Sequence, residues 1–122
     1  VDAIGSVNGL VIDGADTVGL ARFWAAVFGT EIETIANDGH YVDLTANERT
    51  PVLRFQRVPE AKSVKNRLHL DIEVEDLDGA LARVEQLGGS VVHPLRTEYG
   101  WDYAIMGDPE GNEFCVIRRS GG

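Results

Sequence analysis

Arg67-Leu68-His69-Leu70-Asp71-Ile72-Glu73-Val74-Glu75 alternates polar and apolar residues over nine positions. A period of two is the pattern of a strand with one face buried, here through Leu68, Leu70, Ile72 and Val74. Asp76 follows and can cap a helix. Leu77, Leu81, Val84 and Leu87 then fall at helical spacing, and Gly88-Gly89 stops the run. The stretch therefore reads strand, cap, helix, stop.

Moving back 60 residues gives the same succession. Leu10, Ile12, Asp16, Gly19 and Gly29 match Leu70, Ile72, Asp76, Gly79 and Gly89 as identities. The first copy has a strand around Val7 to Asp13, Asp16 as cap, and Leu20, Phe23, Trp24 and Val27 on one helical stripe. Short strand-like pieces follow each helix. They lie near 31–35, 41–44 and 52–58 in the first half, and near 90–93, 101–106 and 114–118 in the second. The turn Asp108-Pro109-Glu110-Gly111-Asn112 separates the last two, and His93-Pro94 reads as a loop. Each half is thus β-α-β-β-β. The expected fold is α+β: a single domain of two tandem modules, about 5–60 and about 65–120, with helices outside and curved sheets around a concave pocket.

Composition excludes several functions. Of the 122 residues, 43% are hydrophobic and 25% charged, an ordinary globular balance. No apolar run approaches the ~18–20 residues of a membrane span, and the first residues lack the basic-then-apolar signature of a secretory leader. A net charge of −9 opposes phosphate backbones and anionic lipid, so neither nucleic acid nor a membrane is an expected partner. The single Cys115 cannot form an internal disulfide and fits a reducing, cytoplasmic setting. No nucleophile elbow, phosphate loop or zinc-finger spacing is present.

Taken together, Asp16, Phe23-Trp24, Gly29 and His69-Leu70-Asp71-Ile72 running into Glu75-Asp76-Leu77-Asp78 resemble the vicinal-oxygen-chelate superfamily of glyoxalases, bleomycin-resistance proteins and dioxygenases. Gly107-Asp108-Pro109-Glu110-Gly111-Asn112-Glu113-Phe114 is similar to the turn before that family's last strand. Phe55 to Glu60 with Lys65 to Asp71 looks like its bacterial glyoxalase-like subgroup. The resemblance covers essentially the whole chain. It implies a site on the concave face, dimerisation, and, in the metal-dependent members, a divalent ion held by the first and last strands of each module. Such an ion acts as a Lewis acid on two adjacent substrate oxygens.

Carried over residue by residue, the resemblance places His69 at a ligand position, while its first-module counterpart is Gly9, which has no side chain. Cys115 stands where the family usually has Glu. Aligning Phe55 with Phe114 puts Gln56 opposite Cys115. The candidate metal set is His69, Gln56 and Cys115, with Asp71 or Glu73 as substitutes. Gln is a weak ligand and a thiol must lose its proton to bind well, so the site reads as incomplete and no cofactor is expected. The alternative is divalent Zn, Fe, Ni or Mn.

Without a metal, His69 and Asp71 form a candidate acid–base pair on one strand face. Arg54, Gln56, Glu73 and Cys115 offer polar contacts, and Trp101 and Tyr103 share a parity suited to an aromatic wall. Plainer roles compete: a strand histidine is commonly just solvated, a cysteine between Phe114 and Val116 is commonly core, and Trp101 and Tyr103 suit a core or dimer interface equally. Gly9 suits a bulge or close packing between modules. Three functions follow: a homodimeric protein holding a small organic molecule in a metal-poor pocket, a metal-dependent lyase, isomerase or dioxygenase, or a dimeric interaction protein.

Overall fold

The computed structural model describes residues 2–121. Its strands and helices run β1 (Leu10–Gly14), α1 (Thr17–Phe28), β2 (Ile32–Ala36), β3 (Tyr41–Leu44), β4 (Leu53–Arg57), β5 (Asp71–Glu73), α2 (Leu77–Gln86), β6 (Ser90–Glu98), β7 (Trp101–Gly107) and β8 (Glu113–Arg119). They divide into two compact units, one ending at Ala61 and the other beginning at Lys62. Each unit is β-α-β-β-β with a four-stranded mixed sheet, ordered β1-β4-β3-β2 and β5-β8-β7-β6. In both, the first strand lies parallel to the last and the remaining pairs are antiparallel. This is the α+β architecture read from the repeat.

The two matched residues at each helix start have a single physical cause. Asp16 and Asp76 are the N-caps of α1 and α2, and each carboxylate accepts the backbone N–H three residues on, at Gly19 and Gly79, at 3.0 Å. A Cβ at either glycine would lie 2.3 Å from the other oxygen of the capping carboxylate, Oδ2. The repeated Asp-x-x-Gly is therefore a cap and the gap that accommodates it. At the far end of α1, Gly29 takes the left-handed conformation, φ 64°, that a helix stop requires.

One face of each sheet packs on its own helix. In the first unit Leu53, Phe55, Val42 and Leu44 are fully buried, and α1 buries Leu20, Phe23 and Trp24. The Trp24 ring stacks on Phe28 at 5.9 Å and meets Phe23 edge-on at 5.3 Å. In the second unit Ala104, Met106, Phe114 and Val116 are buried, and α2 buries Leu77 and Val84. Alternation then sends Arg54, Gln56, Tyr103, Ile105, Cys115 and Ile117 to the opposite face, where each is partly exposed.

Two expectations need correction. The nine-residue alternation from Arg67 to Glu75 yields only the short β5, bounded by hydrogen bonds at Leu70 and Val74. Asn66 and Glu113 exchange two hydrogen bonds, at 3.2 and 3.3 Å, so the chain is pinned there and bends at Arg67 and Leu68 before joining the sheet. His93-Pro94 is not a loop: β6 passes through it. The strand tolerates proline because β6 is an edge and its pairing with β7 shifts register between His93 and Arg96. At Gly9 the chain runs close to its neighbour, and a Cβ there would meet the Val52 carbonyl at 3.1 Å.

The paired caps make a quantitative test. Asp76→Ala should destabilise the protein by about 1 kcal/mol in urea unfolding. Gly79→Ala alone should be near neutral, because displacing the cap offsets the helix propensity gained. In the Asp76→Ala background the same change should stabilise by about 1 kcal/mol, since only the propensity term remains. Additive effects would show that Gly79 does not serve the cap.

Candidate functional site

The face opposite α2 carries the second unit's polar residues, and strand register decides which of them meet. Parallel pairing of β5 with β8 sets Asp71 beside Cys115. His69, two residues before Asp71, shares its side of the chain, and His69 Nε2 lies 3.1 Å from Asp71 Oδ1. The Cys115 Sγ also faces Asp71 across this pairing. One carboxylate thus stands beside both an imidazole and a thiol. The donor atoms of His69, Asp71 and Cys115 all lie within 4.8 Å of one another.

Burial pushes the Cys115 thiol pKa up, and the Asp71 charge and hydrogen bond push it further. Cys115 is therefore held as a neutral thiol and is a poor nucleophile. The His69 and Asp71 side chains are 44% and 55% exposed, so this polar cluster opens to solvent.

A cleft of about 390 Å³ lies against the cluster. Trp101 and Tyr103 on β7 and Ile117 on β8 supply apolar wall, and Glu98 and Tyr99 close its rim. The Arg119 guanidinium sits 4.4 Å from the Trp101 ring centre. The Tyr103 hydroxyl donates to Glu98 at 3.1 Å. Burial and then Glu98 push the Tyr103 phenol pKa up, so it stays a neutral donor. Glu98, Tyr99 and Ile117 were not anticipated. The signal for the rim was present in Tyr99-Gly100, a two-residue link in which both residues have positive φ, 53° and 82°, as a tight hairpin turn requires.

The first unit's corresponding face differs in chemistry. Its register pairs Val11 with Arg54 where the second pairs Asp71 with Cys115. Arg54, not Gln56, is therefore the counterpart of Cys115; the Phe55–Phe114 alignment is two residues out. Gln56 pairs with Tyr41 as Ile117 pairs with Tyr103. Arg54 forms a two-pronged ion pair with Asp43, at 2.8 and 3.1 Å, which raises the Arg54 pKa through hydrogen bond and charge. Val11 and Tyr41 flank this pair in a separate cleft of about 410 Å³. Glu73 lies on β5 with the parity of Asp71, exposed and opposite Ile117.

The glyoxalase-like domain family model matches residues 9–117. The chain belongs to the glyoxalase-like domain family. The two mixed sheets and the match together support the vicinal-oxygen-chelate superfamily. Among solved structures, a glyoxalase/bleomycin resistance protein/dioxygenase family enzyme from Burkholderia phytofirmans PsJN superposes with a TM-score of 0.74 at 18% identity, covering 92% of this chain and 97% of that one. A glyoxalase/bleomycin resistance protein/dioxygenase from Nocardioides gives 0.74 at 13% identity, covering 100% and 89%. TioX from Micromonospora sp. ML1 gives 0.64 at 19%, covering 94% and 99%. At these identities the likeness is one of fold. No curated protein sequence matches the chain. Among the described residues, no helix is long and apolar enough to cross a membrane.

The Asp71 contacts predict an unreactive thiol. Cys115, the only cysteine, should alkylate with iodoacetamide along a pH profile displaced above that of a free thiol. Asp71→Asn removes the raising charge and should shift the profile to lower pH, with faster reaction near neutrality. An unchanged profile would remove the Asp71–Cys115 contact.

Proposed function

We propose that this glyoxalase-like protein binds a small, partly planar organic molecule in the cleft of its second unit. The observation that carries this reading is the opposition of the Trp101 and Tyr103 wall to the Asp71-centred cluster of His69 and Cys115. Aromatic walls supply dispersion and apolar burial, and a few converging polar groups fix orientation. Asp71 engages Nε2 of His69, leaving Nδ1 as the nitrogen for a ligand proton. His69 with Asp71 is then the acid–base pair for any proton transfer, with Asp71 stabilising the imidazolium once formed. Arg54 and Gln56 lie on the first unit's face.

Ligand binding is checked by thermal unfolding against a panel of planar aromatic compounds. A ligand at a hundredfold over its Kd should add about 2.7 kcal/mol of stability. Trp101→Ala should cut the affinity about tenfold or more, since truncating a buried aromatic contact loses its apolar area and stacking. Absence of any shift at millimolar concentrations would remove the reading.

A second reading is favoured by the nitrogen, oxygen and sulfur donors of His69, Asp71 and Cys115 lying within 4.8 Å of one another. The set fits a divalent ion of zinc type, three ligands leaving one position open. Asp71 takes the place expected of Gln56. Cys115, whose pKa is raised, would have to lose its proton to hold the ion, so affinity should rise with pH. When bound, such an ion supplies Lewis-acid polarisation of ligand oxygens. Elemental analysis after incubation with Zn, Fe, Ni and Mn decides it. Near-stoichiometric metal that is lost in His69→Ala supports the second reading; metal-free protein after reconstitution leaves the first.

A further inference from the structure

A second cleft, of about 610 Å³, lies on the same side of the second unit's sheet. Lys62, Lys65, His93 and Arg96 line it, against Glu113 as the single carboxylate. In a chain of net charge −9 with 11 basic residues, three full cations around one cleft is a local reversal of sign. Lys62 is taken up by Glu113 at 3.2 Å. Burial pushes the Glu113 pKa up, but Lys62, the Asn66 N–H and Lys65 more than offset it, so its carboxylate stays ionised. Among the described residues, Lys65 and Arg96 make no ion pair.

Strand register makes the two clefts neighbours. Ile105 lines the basic cleft and pairs with Cys115 of the aromatic one. Tyr103 of the aromatic cleft pairs with Arg96, whose guanidinium lies 5.9 Å from the Tyr103 ring centre. Tyr103 and Ile105 are two positions apart on one strand, roughly 7 Å. The aromatic cleft is lined by the Asp71 and Glu98 carboxylates, which repel a negative group, with Arg119 over its Trp101 ring as a cation beside it. The adjoining cleft offers the opposite sign.

We propose that the molecule bound in the aromatic cleft carries an oxyanion, carboxylate or phosphate, that sits between Lys65 and Arg96. This rests on the aromatic-cleft reading and adds the ligand's charge and direction: ring on Trp101 and Tyr103, anion toward β6. Arg96 sets the orientation, touching the ring wall on one side and the oxyanion on the other.

The test compares 2-naphthoate, 2-naphthyl phosphate and neutral 2-naphthamide by calorimetric titration of the intact protein. The better of the two anions should bind about tenfold or more tightly than the amide, as charge-assisted hydrogen bonds would give. Its affinity should fall as NaCl is raised, while that of the amide holds. Lys65→Gln with Arg96→Gln should cut the anion's affinity about tenfold more than it cuts the amide's, and an equal loss for both overturns the charge assignment. Both positions are exposed, so the variant should fold. Whichever of carboxylate and phosphate binds more tightly identifies the oxyanion. Amide binding equal to or better than both anions overturns the charge assignment and leaves the aromatic cleft standing. Binding of none of the three overturns the cleft and this inference together.

Discussion

Each unit depends on the parallel pairing of its first strand with its last. Those strands are separated in sequence by a helix and two further strands, and nothing local holds them together. The pairing is made possible by the helix, whose cap turns the chain off the first strand and across one sheet face. Burial of Leu53 and Phe55, and of Phe114 and Val116, then fixes the last strand's register, because a one-residue slip would turn these side chains outward. Asp71 meets Cys115 as a consequence.

The same frame gives the two units different faces. In the first, the equivalent of the Asp71–Cys115 pair is Val11–Arg54, and Asp43 satisfies the Arg54 guanidinium from the neighbouring strand. Its charges are internally paired. In the second, Ile105 stands where Asp43 would be; among the described residues no Lys or Arg pairs with Asp71, which lies beside His69 and Cys115 instead. The repeat gives both units one scaffold, and departures from it give their faces different side chains.

The loop between the units' last and first strands also has a defined role. Asn66 and Glu113 hold each other by two hydrogen bonds, and Lys62 joins Glu113. This clamp fixes the approach to β5, and so bears on where His69 comes to lie. It also places Lys62 and Lys65 along the sheet's outer rim. At the other end of β8's approach, the buried Asp108 carboxylate accepts the N–H groups of Glu110 and Asn112, each at 2.9 Å, and shapes the turn.

The repeat, the helix caps and the inward faces of α1, β4 and β8 were legible from sequence alone, because each is written in local spacing: period two in strands, helical stripes, Asp before and Gly after; Leu68, read as inward, is 69% exposed. The parity that joins His69, Asp71 and Glu73, and Trp101 with Tyr103, was legible for the same reason. Register across strands was not. Whether Cys115 matches Arg54 or Gln56 depends on which residues sit opposite β1 and β5, and two phenylalanines two residues out of step misdirected the alignment. The shortness of β5, the passage of β6 through Pro94 and the gathering of Lys65 with Arg96 depend equally on contacts between distant segments. Local sequence determines which way a side chain faces; only tertiary pairing decides what it faces.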